Sequence, residues 1–171
     1  MSAAFVPSYA SGQLFSFEDP LQDKPAPDFT LKTLNGKEIN LAKYREGGPA
    51  IVFFWATWCP HCREQLKDLN VHGSEIEKKG IKLILVDLGE DARQVGAHMK
   101  KHNMQYDVLL DTDSAVADKY GIVGVPTFYL IDKTGVVKLI DHAMPENYAE
   151  VLLGTAGQDK HSEENGSKAV N

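Results

Sequence analysis

Beyond Cys59 and Cys62 the chain has no cysteine, so it holds neither the four-cysteine set of a structural zinc site nor the several bridges of a disulfide scaffold. Positive charge is also scarce. The 18 Lys and Arg residues stand against 24 Asp and Glu, a formal net charge of −6 with a pI near 5.5, which excludes the concentrated basic face of a nucleic-acid binder. The basic pairs Lys78-Lys79 and Lys100-Lys101 read as solvated helix faces. No apolar run approaches the roughly 20 residues of a membrane-spanning helix. His72, His98, His102, His142 and His161 are scattered without ligand spacing, so they read mostly as surface residues and no metal is expected. The first 24 residues lack both the charged and the apolar region of a signal peptide.

What remains is one globular domain. With 171 residues, 43% of them hydrophobic and 25% charged, the chain can bury a substantial core, and a second domain is not expected. Residues 1–24 read as an N-terminal extension and 25–156 as the working domain. The polar run at 157–171 reads as a flexible tail.

The two cysteines lie in Trp55-Ala56-Thr57-Trp58-Cys59-Pro60-His61-Cys62, directly after the apolar run Ala50 to Trp55 and before a helical pattern through Glu64, Leu66 and Leu69. They therefore sit at a strand-to-helix junction. Free backbone N–H groups and the positive end of the helix dipole favour a thiolate there, the species that attacks a disulfide. Pro60 suits the first helical turn, which needs no donor. Two intervening residues let the helix carry Cys62 beneath Cys59, so Cys59 is the expected nucleophile and Cys62 the thiol that resolves the mixed disulfide. A structural bridge across one helical turn would close only a tiny loop and stabilise little.

The rest of the domain alternates. Asn35-Gly36 between Asp28–Leu31 and Glu38–Leu41 signals an N-terminal hairpin. A strand at Ile81–Val86, a helix at Ala92–His102, a short apolar segment at Tyr106–Leu110 and a helix at Ala115–Tyr120 follow. Strands at Thr127–Ile131 and Val136–Ile140 flank a turn ending in Gly135, and Tyr148–Leu153 can close the domain as a helix. The order predicts an α/β fold with a mixed sheet flanked by helices. Trp55, Phe53, Phe54 and Leu85 are assigned to the core, and Trp58 to a substrate-facing surface.

In this order the segments resemble the thioredoxin-like superfamily, and within it the thiol-disulfide oxidoreductases of the ResA and TlpA type. The resemblance runs from about Lys24 to Met144. Its carriers are Pro25-Ala26-Pro27-Asp28-Phe29, the W-x-x-W-C-x-x-C segment, Val86-Asp87-Leu88-Gly89-Glu90, Leu109-Leu110-Asp111-Thr112-Asp113 and Gly124-Val125-Pro126-Thr127. The N-terminal hairpin and Pro-Asp-Phe are also AhpC/TSA-like features. The resemblance implies a helical insert before the Pro126 strand and a cis Val125-Pro126 bond facing the cysteines, with the Val125 backbone free to pair with an extended substrate. It also implies an acid/base role for Glu90 at the end of a strand, in place of the buried aspartate of ordinary thioredoxins, whose position is Phe53 here.

Redox direction draws on opposing signals. Pro60-His61 is the dipeptide of the DsbA oxidases, where His61 would stabilise the Cys59 thiolate and make the protein an oxidant, disulfide donor or isomerase. An ionised Glu90 opposes a second negative charge, and ResA-type proteins reduce the haem-site disulfides of apocytochrome c. The expectation is a reductase working outside the cytoplasm, periplasmic or membrane-tethered. The resemblance implies a membrane thiol reductase as electron donor, a protein disulfide as substrate, and no cofactor or metal.

Three rivals lack their signatures. A peroxiredoxin needs P-x-x-x-T/S-x-x-C around its reactive cysteine, where this chain has Val52 and Ala56. A copper-handling thioredoxin-like protein of the Sco type has three residues between its cysteines. A redox-inactive binding module has no need of both thiols, and both are present.

Overall fold

We describe residues 19–154 of a computed structural model of the chain. The expected tail at 157–171 and most of the expected extension at 1–24 lie outside the described residues. Residues 19–24 are fixed to the last strand: the N–H of Asp23 donates to Val137 O (2.9 Å) and that of Val137 to Lys24 O (2.9 Å).

Seven strands form one mixed sheet: β1 (Thr30–Thr33), β2 (Glu38–Asn40), β3 (Ala50–Trp55), β4 (Lys82–Leu88), β5 (Val108–Asp111), β6 (Thr127–Ile131) and β7 (Val137–Asp141). Their order is β2-β1-β5-β4-β3-β6-β7. The centre, β3 with β4 and β4 with β5, is parallel; β6 and β7 add antiparallel on one side and β1 with β2 on the other. The helices are α1 (Leu41–Arg45), α2 (Pro60–Lys78), α3 (Ala92–Lys101), α4 (Ala115–Tyr120) and α5 (Tyr148–Leu153). Between β4 and β6 the chain thus inserts α3, β5 and α4.

Strand alternation sorts the core into two layers. Ile51, Phe53 and Trp55 of β3, with Leu83 and Leu85 of β4, face α2, α3 and α5 through Cys62, Leu66, Leu69, Val95, Met99 and Leu152. Val52 and Phe54 face the opposite way, toward Leu41 of α1 and Val116 and Tyr120 of α4. Every residue of β3 is buried, which is why it reads as an unbroken apolar run. Phe53 stacks on Phe128 of β6 with ring centroids 4.2 Å apart and planes within 1°.

Several boundaries differ from the sequence expectation, each for a local reason. The hairpin strands move toward the turn because Asp28 is used elsewhere: its Oδ1 accepts the N–H of Ala42 (3.0 Å) and its Oδ2 the Asn40 side-chain amide (2.8 Å). Leu41 starts α1 rather than ending a strand, because the side chain of Asn40 accepts the N–H of Lys43 (3.0 Å) as an N-cap. Val136 is held in the preceding turn, where Asp132 Oδ1 accepts its N–H (3.1 Å) and that of Thr134 (2.8 Å), so β7 starts one residue later.

Candidate active site

The end of β3 delivers Ala56, Thr57 and Trp58 to the mouth of α2, and Cys59 is the N-cap of that helix. Its φ and ψ of −81° and 116° are extended, its Sγ accepts the N–H of Cys62 (3.2 Å), and Pro60 occupies the first turn. A sulfur replaces the oxygen that usually caps a helix, and a thiolate there meets unpaired N–H groups and the positive end of a 19-residue helix. Both cysteines are free thiols. Cys59 keeps a sliver of exposure beside the strongly exposed Trp58, whereas Cys62 is fully enclosed. Burial pushes the Cys62 thiol far above its ordinary range, and the neighbouring Cys59 sulfur adds to the shift.

The loop before β6 forms the facing wall. The Val125-Pro126 peptide is cis, and Cys59 Sγ lies 3.5 Å from the carbonyl oxygen of Val125. Val125 is half-buried and Pro126 buried. Thr127 Oγ1 donates to Gly124 O (2.7 Å), and His142 Nδ1 lies 2.9 Å from Pro126 O, so the loop is held from both ends. Trp58, next to Cys59 in the chain, and Val123, in the loop before β6, are exposed apolar side chains.

Glu90 reaches the redox segment through Thr57, two residues before Cys59. Its Oε2 accepts the Thr57 N–H (2.6 Å), and its Oε1 accepts the Thr57 hydroxyl (2.6 Å) and the Gln94 amide (2.7 Å). The carboxyl is buried and braces the loop that presents Cys59. His61 is exposed, and its Nδ1 faces Glu64 Oε2 at 3.4 Å. Among the described residues no group of three His, Cys, Asp or Glu side chains gathers in metal-binding geometry. No helix there is long and apolar enough to cross a membrane.

Against known proteins, a sequence profile of the AhpC/TSA family matches residues 23–140. The thiol-disulfide oxidoreductase ResA of Geobacillus thermodenitrificans is 34% identical over 115 residues, 67% of this chain and 66% of that protein. ResA of Bacillus subtilis is 33% identical over 123 residues, 71% of this chain and 68% of the relative. The chain therefore spans about two thirds of the length of these two relatives. A crystal structure of a thiol:disulfide interchange protein of the thioredoxin family from Chlorobium tepidum superposes with a TM-score of 0.62 at 30% identity, covering 75% of this chain and 90% of that one. The chain belongs to the ResA-type thiol-disulfide oxidoreductases of the AhpC/TSA family.

Within this ResA-type site, Cys59, Cys62, Trp58, Val125 and Pro126 converge, and Glu90 joins them by way of Thr57. His61 turns outward to Glu64. Two groups escaped the sequence reading. His142 lies in the turn after β7 and gave no periodic signal. Asp87 did give one, since Leu83, Leu85 and Asp87 alternate on one face, but the strand was expected to end at Val86. It runs to Leu88 and carries Asp87 fully buried into the α2 layer, opposite Trp55 in the β3 register.

Proposed function

We propose that this protein reduces disulfides in protein substrates outside the cytoplasm, as in cytochrome c maturation, with Cys59 as nucleophile and Cys62 as resolver. One observation carries the assignment of roles: Cys59 Sγ sits at the helix N-cap beside exposed apolar surface, while Cys62 is sealed beneath it with its thiol pushed up by burial. Cys59 attacks one sulfur of the substrate disulfide, and the other leaves as a thiolate. Cys62 then gives up its proton and attacks Cys59 Sγ, releasing the second substrate thiol and closing the Cys59–Cys62 disulfide. Two electrons pass to the substrate. A membrane thiol reductase returns them, with apocytochrome c as the favoured substrate class.

In this reading the Val125 carbonyl marks where an extended substrate strand pairs beside Cys59, and Trp58 supplies apolar contact. Pro126 shapes that wall. Glu90 is the acid/base group, acting through the Thr57 loop it braces. The reducing direction is supported by the buried Glu90 carboxyl that braces the redox loop, since negative charge there opposes the thiolate that would stabilise the dithiol. Pro60 and His61 tune the pair from the rim. The opposite reading, an oxidase or isomerase, rests on that dipeptide.

The reduction potential of the Cys59–Cys62 pair, read by tryptophan fluorescence in a thiol buffer, separates the two. A value at or below about −220 mV supports the reductase, and one near about −120 mV assigns a disulfide donor.

A further inference from the structure

Two aspartates of the sheet are completely buried, and they differ in one respect. Asp111, at the end of β5, spends both oxygens on the first turn of α4: Oδ1 accepts the N–H of Val116 (3.1 Å) and Oδ2 that of Ala117 (2.8 Å). Asp87, at the end of β4, accepts from no donor among the described residues, and the side chain within its reach is the carboxyl of Glu90. Its neighbours are unsatisfied too. The indole Nε1 of Trp55, its register partner on β3, and Nε2 of His98 are buried without partners, and those two rings lie 5.7 Å apart. Buried polar atoms are nearly always paired, so a cluster of orphans under a redox helix calls for a function.

Strand alternation puts Asp87 on the face that carries Trp55, Cys59 and Cys62, not on the α4 face. The beginning of α2 brings the two thiols to this layer, and its exposed Arg63 adds positive charge that His98 feels. The turn after β4 brings Glu90, and α3 brings His98 with His102 and Lys101 behind it. Nothing titratable comes from the facing β3 and β5 positions, Trp55 and Leu110. Burial, and then His102 and Arg63, hold His98 below its ordinary value and favour its neutral form. Glu90 is already committed to Thr57 and Gln94 through three hydrogen bonds. Asp87 receives no such donor and faces the Glu90 carboxyl alone.

We propose that Asp87 is the proton store of the dithiol–disulfide cycle, a positioning residue that exchanges the Cys62 proton by way of Glu90. The inference rests on the redox reading of Cys59 and Cys62 above. In the resolving step the Cys62 proton passes to the Asp87–Glu90 pair, the Cys62–Cys59 bond forms, and the bond from Cys59 to the substrate sulfur breaks. The released substrate thiolate takes a proton from solvent at the open rim. When a donor thiolate later attacks Cys59 in the disulfide, Cys62 leaves into a dry interior and the same proton returns to it. Burial, reinforced by Glu90, raises Asp87 to about 8, close to the working range of a proton carrier between thiols.

The test uses the reduced full chain and a chromogenic aryl disulfide in stopped flow, where the first thiolate released reports Cys59 attack and the second reports resolution by Cys62. Wild type, Asp87→Asn and Asp87→Leu are compared between about pH 6 and 9. We expect the first phase to be unchanged within about twofold and the second to slow by about tenfold or more at neutral pH in both variants. The slowed phase should recover in proportion to hydroxide, because solvent then removes the Cys62 proton. Two variants of different polarity sharing one pH profile separate a lost carboxyl from a packing defect. A resolving phase with the wild-type rate and profile in both variants overturns the role of Asp87 and leaves the redox reading standing. A wild-type protein that releases no thiolate removes both.

Discussion

Asp87→Asn should make this protein more stable, by an amount that grows with pH. The carboxyl is fully buried and accepts from no donor among the described residues, and burial, with the Glu90 carboxyl adding to it, raises it from 3.8 to about 8. Between those values the unfolded chain is ionised at this position and the folded chain is protonated, so the folded state binds the extra proton. Stability is then fully present below about pH 4 and is lost as pH rises toward 8. Each unit is worth about 1.4 kcal/mol, so by pH 7 the wild type has given up roughly 4 kcal/mol, a large share of the 5–15 kcal/mol of an ordinary domain. The asparagine variant keeps the shape and cannot ionise. Urea unfolding of both reduced proteins should therefore show near-equal stability at about pH 4 and a gap widening by about 1.4 kcal/mol per pH unit, levelling off above about pH 8. A gap that stays flat, or one that favours the wild type as pH rises, would refute the reasoning that the carboxyl is held neutral by burial.

Other perturbations test the packing and the brace. Gly73→Ala should destabilise by about 1–3 kcal/mol in denaturant unfolding despite the helical preference for alanine, because a Cβ there would lie 1.8 Å from the Tyr106 hydroxyl, which donates to Leu69 O at 2.6 Å. A gain in stability would show that Tyr106 yields freely. Phe53→Ala removes the ring stacked on Phe128 in a fully buried layer and should cost about 3–5 kcal/mol by the same measurement. Thr57→Val deletes the hydroxyl that donates to Glu90 while keeping the side-chain shape. It should cost about 1 kcal/mol and change the alkylation rate of Cys59, a readout that a remote surface change leaves alone.

Much of this architecture is legible in the chain because its periodicities are strong. The unbroken apolar run of β3, the 3.6-residue pattern of α2 and the Asn35-Gly36 turn each specify an element with few competitors. The cysteine spacing then fixes where chemistry can occur. Less legible were elements made by side-chain hydrogen bonds. Five-residue α1 exists because Asn40 caps it, and the start of β7 is set by Asp132 gathering the N–H groups of its own turn. Asp87 was hidden for a different reason. A carboxylate at the end of an apolar strand looks like its boundary, and only the register with Trp55 reveals that the strand continues inward. Glu90 was visible, but its use of Thr57 as a handle on the redox loop depends on the turn geometry between β3 and α2. His61 lies between the two cysteines in the chain and yet faces Glu64, because the first helical turn directs its ring outward.

The most direct test of the assigned chemistry is to trap the intermediate. Cys62→Ser leaves the nucleophile without its resolver, so mixing the reduced variant with a disulfide-bearing protein should accumulate a covalent adduct. Mass spectrometry after proteolysis should place the bridge on Cys59, while Cys59→Ser forms none under the same conditions. An adduct absent from Cys62→Ser, or formed as readily through Cys62 in the Cys59→Ser protein, would contradict the division of labour between an N-capping nucleophile and a buried resolving thiol.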